Sequence, residues 1–312
     1  MTTRPDISVV LATYNRAAKL PRAIASVLSQ EGVSFELIIV DDVSTDDTRC
    51  YLGKLTDPRI RVVLAETNLG PSGARNLGIE AARADVVAFL DSDDSYRPRR
   101  LAVPAAALAG DPAIVCVLSS ALTYTRDKPR EARIPDVTLK GPAFEWALTC
   151  DLFPVETTGM TVRRTAALAV GGFCPKLRFA EDREFLIRLA AHGGGQLISE
   201  VLYEKSWSTD GLSNDWGRHG AGLIAYLEQR PEYLRQFPRL GSYLAVKVLV
   251  RDLRARCFRA FWRDLCDFRE RQLIEDNPIN LWRNHRKVGD YRRAMSNATS
   301  LAMLTGPPAA WR

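Results

Sequence analysis

Apolar residues fall along this chain in two rhythms. The runs ISVVLA (7–12), FELIIV (35–40), RIRVVLA (59–65) and DVVAFL (85–90) are short and near-continuous and read as strands, and the β-branched residues of ISVVLA predict a strand buried on both faces. Between them the spacing lengthens. KLPRAIASVLSQ (19–30) puts Leu20, Ile24, Val27 and Leu28 on one helical face, about 47–55 reads as a second helix, and GPSGARNLGIEAAR (70–83) as a third. Strand and helix alternating at such short intervals predict a Rossmann-like α/β layer, a mostly parallel sheet with right-handed crossovers flanked by helices. Farther on, MTVRR (160–164) reads as a strand and EDREFLIRLAAHG (181–193) as an amphipathic helix opened by the glycine turn GGF.

The rhythm then changes. From Tyr243 to Phe268 the residues Val246, Leu249, Val250, Leu253, Cys257, Phe261, Leu265 and Phe268 recur at helical spacing, with Arg251, Arg256, Arg259 and Arg263 on the opposite side. Charge changes with it: residues 213–312 carry eighteen lysines and arginines against ten acidic residues, and residues 1–212 carry twenty-five against twenty-seven. The expected division is an α/β domain over 1–212 and a basic α-helical appendage over 213–312, parted at the polar segment STDGLSNDWGRHG.

Composition narrows the class. With 312 residues and 46% hydrophobic content, the chain suits a soluble globular protein with a sizeable core. No stretch approaches the roughly 18 apolar residues of a membrane span, and MTTRPDISVV lacks a signal-peptide core, so a cytoplasmic location is expected. The six cysteines form no C-x-x-C pair, which points to buried reduced thiols rather than a zinc or disulfide framework.

Ligands of such sheets sit beyond the carboxyl ends of the strands. Three polar clusters occupy that edge: Thr13-Tyr14-Asn15, Asp41-Asp42 and Asp91-Ser92-Asp93-Asp94. Each alone could be turn or helix-cap chemistry; their coincidence points to one pocket. Crowded carboxylates repel and raise one another's pKa unless a cation joins them, and hard oxygen donors favour Mg2+ or Mn2+ completed by substrate phosphates.

SVVLATYNR, VDDVSTDDT, NLGPSGARNLGI, AFLDSDD and GGFCPKLRFAEDREFLIRLA, in this order over about residues 6–212, resemble the successive signatures of family 2 glycosyltransferases of the GT-A fold. That resemblance implies inverting transfer of a sugar from a nucleotide-diphosphate sugar, usually UDP-linked, to an acceptor hydroxyl. It implies that Thr13 and Asn15 border the nucleoside, that Asp42 reads the base, and that Arg75 lies beside the nucleotide. Asp91 falls near the ribose and Asp93 on the metal; Asp94 either supports that site or caps a helix.

Inverting transfer needs a general base for the acceptor proton. An acidic helix start such as Glu181-Asp182 is favoured by the helix dipole alone. The resemblance places Asp182 as that base and Glu181 as its orienter or an acceptor contact, with Thr158 and Gly159 on the acceptor cleft. His192 reads as a helix-end residue, and His219 falls where relatives close over the diphosphate, although this chain has Trp207 and Ser208 at the expected histidine. Q-x-x-R-W is absent, which speaks against a processive synthase.

The basic helix either packs on the catalytic domain or a second copy of the chain, or lies on anionic lipid at the inner face of the membrane; a small bundle with a basic outer face would do both. No recognition motif for nucleic acid accompanies the charge. The expected activity is a metal-dependent glycosyltransferase of bacterial surface glycan or glycolipid synthesis. Its rivals are a nucleotide-sugar pyrophosphorylase-like nucleotidyltransferase, for which ATYNRAAKL lacks the glycine-rich phosphate loop, and an inactive glycosyltransferase-like binding module.

Overall fold

The computed structural model describes residues 4–125, 128–177, 180–206, 219–229, 231, 238–274, 286, 290, 295 and 297–303. Strands β1 (Ile7–Thr13), β2 (Phe35–Asp41), β3 (Ile60–Leu64) and β4 (Val86–Asp91) pair in parallel in the order β3-β2-β1-β4. Every residue of β2 is buried, Glu36 and Asp41 included, whereas β3 is an edge strand with Val62 and Leu64 exposed. Helices α1 (Leu20–Leu28), α2 (Thr48–Leu52) and α3 (Gly70–Ala81) form the intervening crossovers. Gly78 lets α3 close on the sheet, since a Cβ there would stand 2.3 Å from Cγ1 of Val10.

The second half of the sheet is mixed. It comprises β5 (Ser95–Tyr96), β6 (Ile114–Thr125), β7 (Lys128–Ala132), β8 (Val137–Leu139), β9 (Met160–Arg163) and β10 (Gly194–Lys205), with helices α4 (Ala102–Gly110), α5 (Pro142–Thr149), α6 (Arg164–Ala169) and α7 (Glu181–Leu189) between them. The full order is β3-β2-β1-β4-β9-β6-β10-β5, with β7 on β6 and β8 on β10. Strand β9 runs antiparallel between β4 and β6, so β6 and its parallel partner β10 point the same way as β1 to β4. The carboxyl ends of β1, β2, β4 and β10 therefore share one edge.

The helix expected over 243–268 is two helices. After α8 (His219–Glu228) come α9 (Pro238–Arg254) and α10 (Phe258–Glu270), and a short α11 (Ala298–Ala302) closes the described chain. The break falls at Arg256, which adopts a left-handed φ of 59° while the amides of Arg256 and Cys257 bond back to the carbonyls of Leu253 and Asp252. Leu253, placed on the apolar face by periodicity, is exposed because the turn begins there. Ala245, Val248, Leu249 and Phe268 join the same core cluster as Phe89, Phe173 and Phe185 of the α/β layer. The boundary segment up to Arg218, with Trp207 and Ser208, and also His285, lie outside the described residues.

A polar seam runs between α9 and α10. Asp252 and Asp264 are fully buried, and neither Asp252 oxygen nor Oδ2 of Asp264 has a hydrogen-bond partner among the described residues. Oδ1 of Asp264 accepts from Arg263, and Gly220 of α8 packs so tightly that a Cβ would stand 2.1 Å from the Asp264 carboxyl. Burial and the neighbouring Asp264 push the Asp252 carboxyl up to about 6.

All six cysteines are free thiols, although Cys50 and Cys266 are exposed rather than buried. Among the described residues no helix is long and apolar enough to cross a membrane.

Candidate functional site

The shared strand edge gathers the expected clusters. After β1, Asn15 takes a left-handed φ of 53° and turns Oδ1 onto the amides of Thr45 (2.7 Å) and Asp46 (3.3 Å), which ties the first loop to the second. Thr13 is buried, and its hydroxyl has no partner among the described residues. Asp42 receives the amides of Leu69 (2.7 Å) and Gly70 (2.9 Å), one on each oxygen. Its structural task is thus to hold the entry to α3, and each oxygen keeps a second lone pair for a ligand.

Asp93 differs from its neighbours. Burial and the charge of Asp91 push its carboxyl upward, tempered by Lys19, Arg16 and its own backbone amide. Asp94 is raised further by burial and spends both oxygens internally, accepting from the Thr158 hydroxyl (2.6 Å) and the Ser206 amide (3.1 Å). No group of three or more His, Cys, Asp or Glu among the described residues could hold an ion unaided. A carboxyl raised by the charge of a second carboxylate nevertheless fits a hard divalent cation that takes its remaining ligands from water and phosphate.

Arg75 forms the connection that the spacing does not reveal. Its buried guanidinium donates to Asp91 (2.9 Å) and to Glu181 (3.1 Å), and stacks 5.3 Å above the Phe173 ring. The strand-end cluster and the acidic helix start are therefore bridged by one side chain. Next to it, Asn76 accepts from the Phe173 amide (2.7 Å) and donates to the Phe173 carbonyl (2.9 Å). Phe173 stacks on Phe185 of α7 at 4.2 Å and meets Phe89 of β4 edge-on at 5.3 Å. Asn76 and this aromatic stack place the start of α7 against the strand edge.

Asp182 is half-buried on that start. Removal from water, with Glu181 and Glu156 adding to it, pushes its carboxyl up to about 7. The following Arg183 reaches the carbonyls of Leu148 (2.7 Å) and Phe153 (3.0 Å) and pairs with Asp151 at 2.6 Å; Lys247 of α9 pairs with the same carboxylate at 2.7 Å.

Thr158 was expected on the acceptor cleft, but the structure buries it completely. Its hydroxyl accepts from the Asp91 amide and donates to Asp94, and its carbonyl accepts from Arg100, so it forms the floor of the site. Gly159 borders a small cavity with Ser119, Glu156 and Tyr203, and a Cβ there would stand 2.9 Å from the Tyr203 ring. Sequence reasoning overlooked Arg100, Asp151, Glu156 and Lys205. Lys205, paired with Glu156, ends β10 and was findable by the strand-end rule that found Asp42 and Asp91. Arg100 offered no signal: it is one of three arginines in RPRR (97–100), and only the fold shows it fully buried beneath the turn Thr157–Gly159. His192 is exposed at the end of the single turn Ala190–His192 that continues α7.

A mixed α/β sheet flanked by helices, with a carboxylate cluster at its strand ends, is the fold class expected of a GT-A glycosyltransferase. Residues 8–170 match the model of glycosyl transferase family 2, and the chain belongs to that family. It is similar to the succinoglycan biosynthesis protein ExoO of Rhizobium meliloti (strain 1021), 42% identical over 147 residues, or 45% of this chain and 42% of that protein. It is also similar to the UDP-Glc:alpha-D-GlcNAc-diphosphoundecaprenol beta-1,3-glucosyltransferase WfgD of Escherichia coli, 36% identical over 95 residues, or 30% and 38%. The matches thus span less than half the length of either relative. Among solved structures, S. aureus TarS 1-349 in complex with UDP-GlcNAc superposes with a TM-score of 0.58 at 17% identity, over 85% of this chain and 91% of that one, which shows a common fold.

Proposed function

We propose that the chain transfers a sugar, with inversion at the anomeric carbon, from a UDP-linked sugar to an acceptor hydroxyl in the synthesis of a bacterial surface glycan or glycolipid. The single observation that carries this reading is Arg75, which joins Asp91 on the donor side to Glu181 beside Asp182. Donor-holding and proton-accepting groups are thereby fixed in one frame, as a displacement requires. A carboxyl at about 7 takes a proton from a hydroxyl more readily than an ordinary aspartate does. Thr13, Asn15 and Asp42 would border the nucleoside. Asp93, with Asp91 beside it, would hold Mn2+ or Mg2+, whose chemistry is to neutralise the leaving diphosphate.

The relatives support the substrate class: ExoO is named for succinoglycan synthesis, WfgD for a UDP-glucose donor and a diphosphoundecaprenol acceptor. A catalytic domain over 1–212, with its helical appendage over 213–312, and peripheral attachment to the inner face of the membrane belong to the same reading.

The test is a panel of nucleotide sugars assayed for hydrolysis and for transfer. Asp182→Asn should lower turnover about 10²- to 10⁴-fold with UDP affinity unchanged, and Asp93→Ala should abolish metal-dependent UDP binding in calorimetry. Undiminished turnover in Asp182→Asn would overturn the assignment. UDP binding without turnover of any donor would point to a binding module instead.

A further inference from the structure

We propose that the corner between α9 and α10 is a membrane-docking surface on which Phe258 and Trp262 enter an anionic bilayer and Arg254, Arg256 and Arg259 meet its headgroups. Leu253, Phe258 and Trp262 are 44%, 58% and 62% exposed. Leu253 lies in the last turn of α9, and Phe258 and Trp262 stand one turn apart on α10, so all three belong to one corner. The corner has a firm base. Phe261, packed on the core, meets Trp262 edge-on at 5.5 Å, and Ala260 and Phe268 fix the opposite face of α10.

Charge selects the occupant. Arg254, Arg256 and Arg259 are exposed around these apolar groups, whereas the nearby Asp252 and Asp264 turn inward and are fully buried. Exposed aromatic residues within a cationic rim match the boundary between acyl chains and anionic headgroups. A second copy of the chain fits poorly, because a two-fold contact would bring this like-charged rim against itself. The structure also revises which cations take part. Arg251 is half-buried, and Arg263, although exposed, bonds the buried Asp264, so two of the four arginines read as one face are drawn towards the protein.

The corner is mechanically joined to the site. Six residues of α9, or about 9 Å of helix, separate Leu253 from Lys247, which pairs with Asp151, itself paired with the Arg183 that follows Asp182. Docking would therefore fix the orientation of the acid helix relative to the lipid surface. That use, delivery of a lipid-borne acceptor, rests on the proposed transferase activity; the surface itself does not.

The test is sedimentation with vesicles of pure phosphatidylcholine and with vesicles containing roughly one-third phosphatidylglycerol. Wild type should bind the anionic vesicles in a salt-sensitive way and ignore the neutral ones. Phe258→Ser with Trp262→Ser should weaken binding at least about tenfold, and Arg254→Ser, Arg256→Ser and Arg259→Ser together should remove its salt dependence. Each variant should keep wild-type circular dichroism and UDP affinity. Should wild type ignore anionic vesicles, or the aromatic variant bind undiminished, the proposal fails. A wild-type dimer that becomes monomeric in the aromatic variant, without vesicle binding, also overturns it in favour of a self-interface. Vesicle binding in a protein that turns over no donor would sink the transferase reading and leave the docking surface standing.

Discussion

At the scale of single residues, the site is defined by how each carboxylate is held. Asp42 and Asp94 are held by donors from other segments, whereas Asp93 is raised by burial and the charge of Asp91, and Asp182 is raised to about 7. Asp182 as a base must be ionised, so kcat/KM should climb through an acid limb near pH 7. The same burial has a stability cost with a fixed sign. A folded carboxyl raised above its unfolded value binds the proton more tightly in the native state, so its stabilising contribution is lost as pH rises from about 4 to 7. Asp182→Asn should therefore stabilise the protein by about 1–3 kcal/mol above pH 7, discounted for partial exposure, with the gain shrinking towards pH 4 in thermal melts. Arg75→Gln frees the charge of Glu181 next to Asp182, so the acid limb should move to higher pH while stability falls by about 3 kcal/mol. Chain order displays the residue types at Asp91, Asp93 and Asp182. It does not display that Arg75 joins two of these clusters across 106 positions, nor that Thr158 is wholly buried, because both depend on three-dimensional closure.

Elements were legible where the local pattern determines them. The runs of β1 to β4 became parallel strands because each is largely apolar and bounded by turn residues. The antiparallel insertion of β9 was not legible, since alternation within a strand carries no direction. The break between α9 and α10 was also hidden, because apolar spacing continues across the left-handed Arg256. Two motifs that read as separate signatures are coupled through Asn76 and Phe173, so α3 and the start of α7 should respond together. Gly78→Ala drives a methyl into Val10, and overpacking of this kind typically costs about 1–3 kcal/mol. Denaturant unfolding should show that loss, and the displaced α3 should lower turnover through Arg75 more than it lowers UDP affinity.

In the molecule as a whole, the C-terminal helices share the principal core of the α/β layer and take hold of it through Asp151. Asp151→Asn leaves Lys247 and Arg183 without their common anion. Turnover should fall with little change in UDP affinity, since the break lies on the acid-helix side of the site. Periodicity pointed to helices in this part of the chain, but their outward apolar corner and inward acidic seam depend on how both helices pack against the core. The seam turns a solvent proton into a structural component. With both Asp252 and Asp264 ionised, two buried negative charges face one another; one proton between them supplies the missing bond and removes the repulsion. The grip of α9 on α10 is accordingly tightest in mild acid and loosens as pH rises through about 6. Hydrogen exchange in α10 should accelerate from pH 5.5 to 8 beyond the intrinsic chemical rate, and Asp252→Asn should abolish that excess, which makes this pair a built-in gauge of ambient acidity.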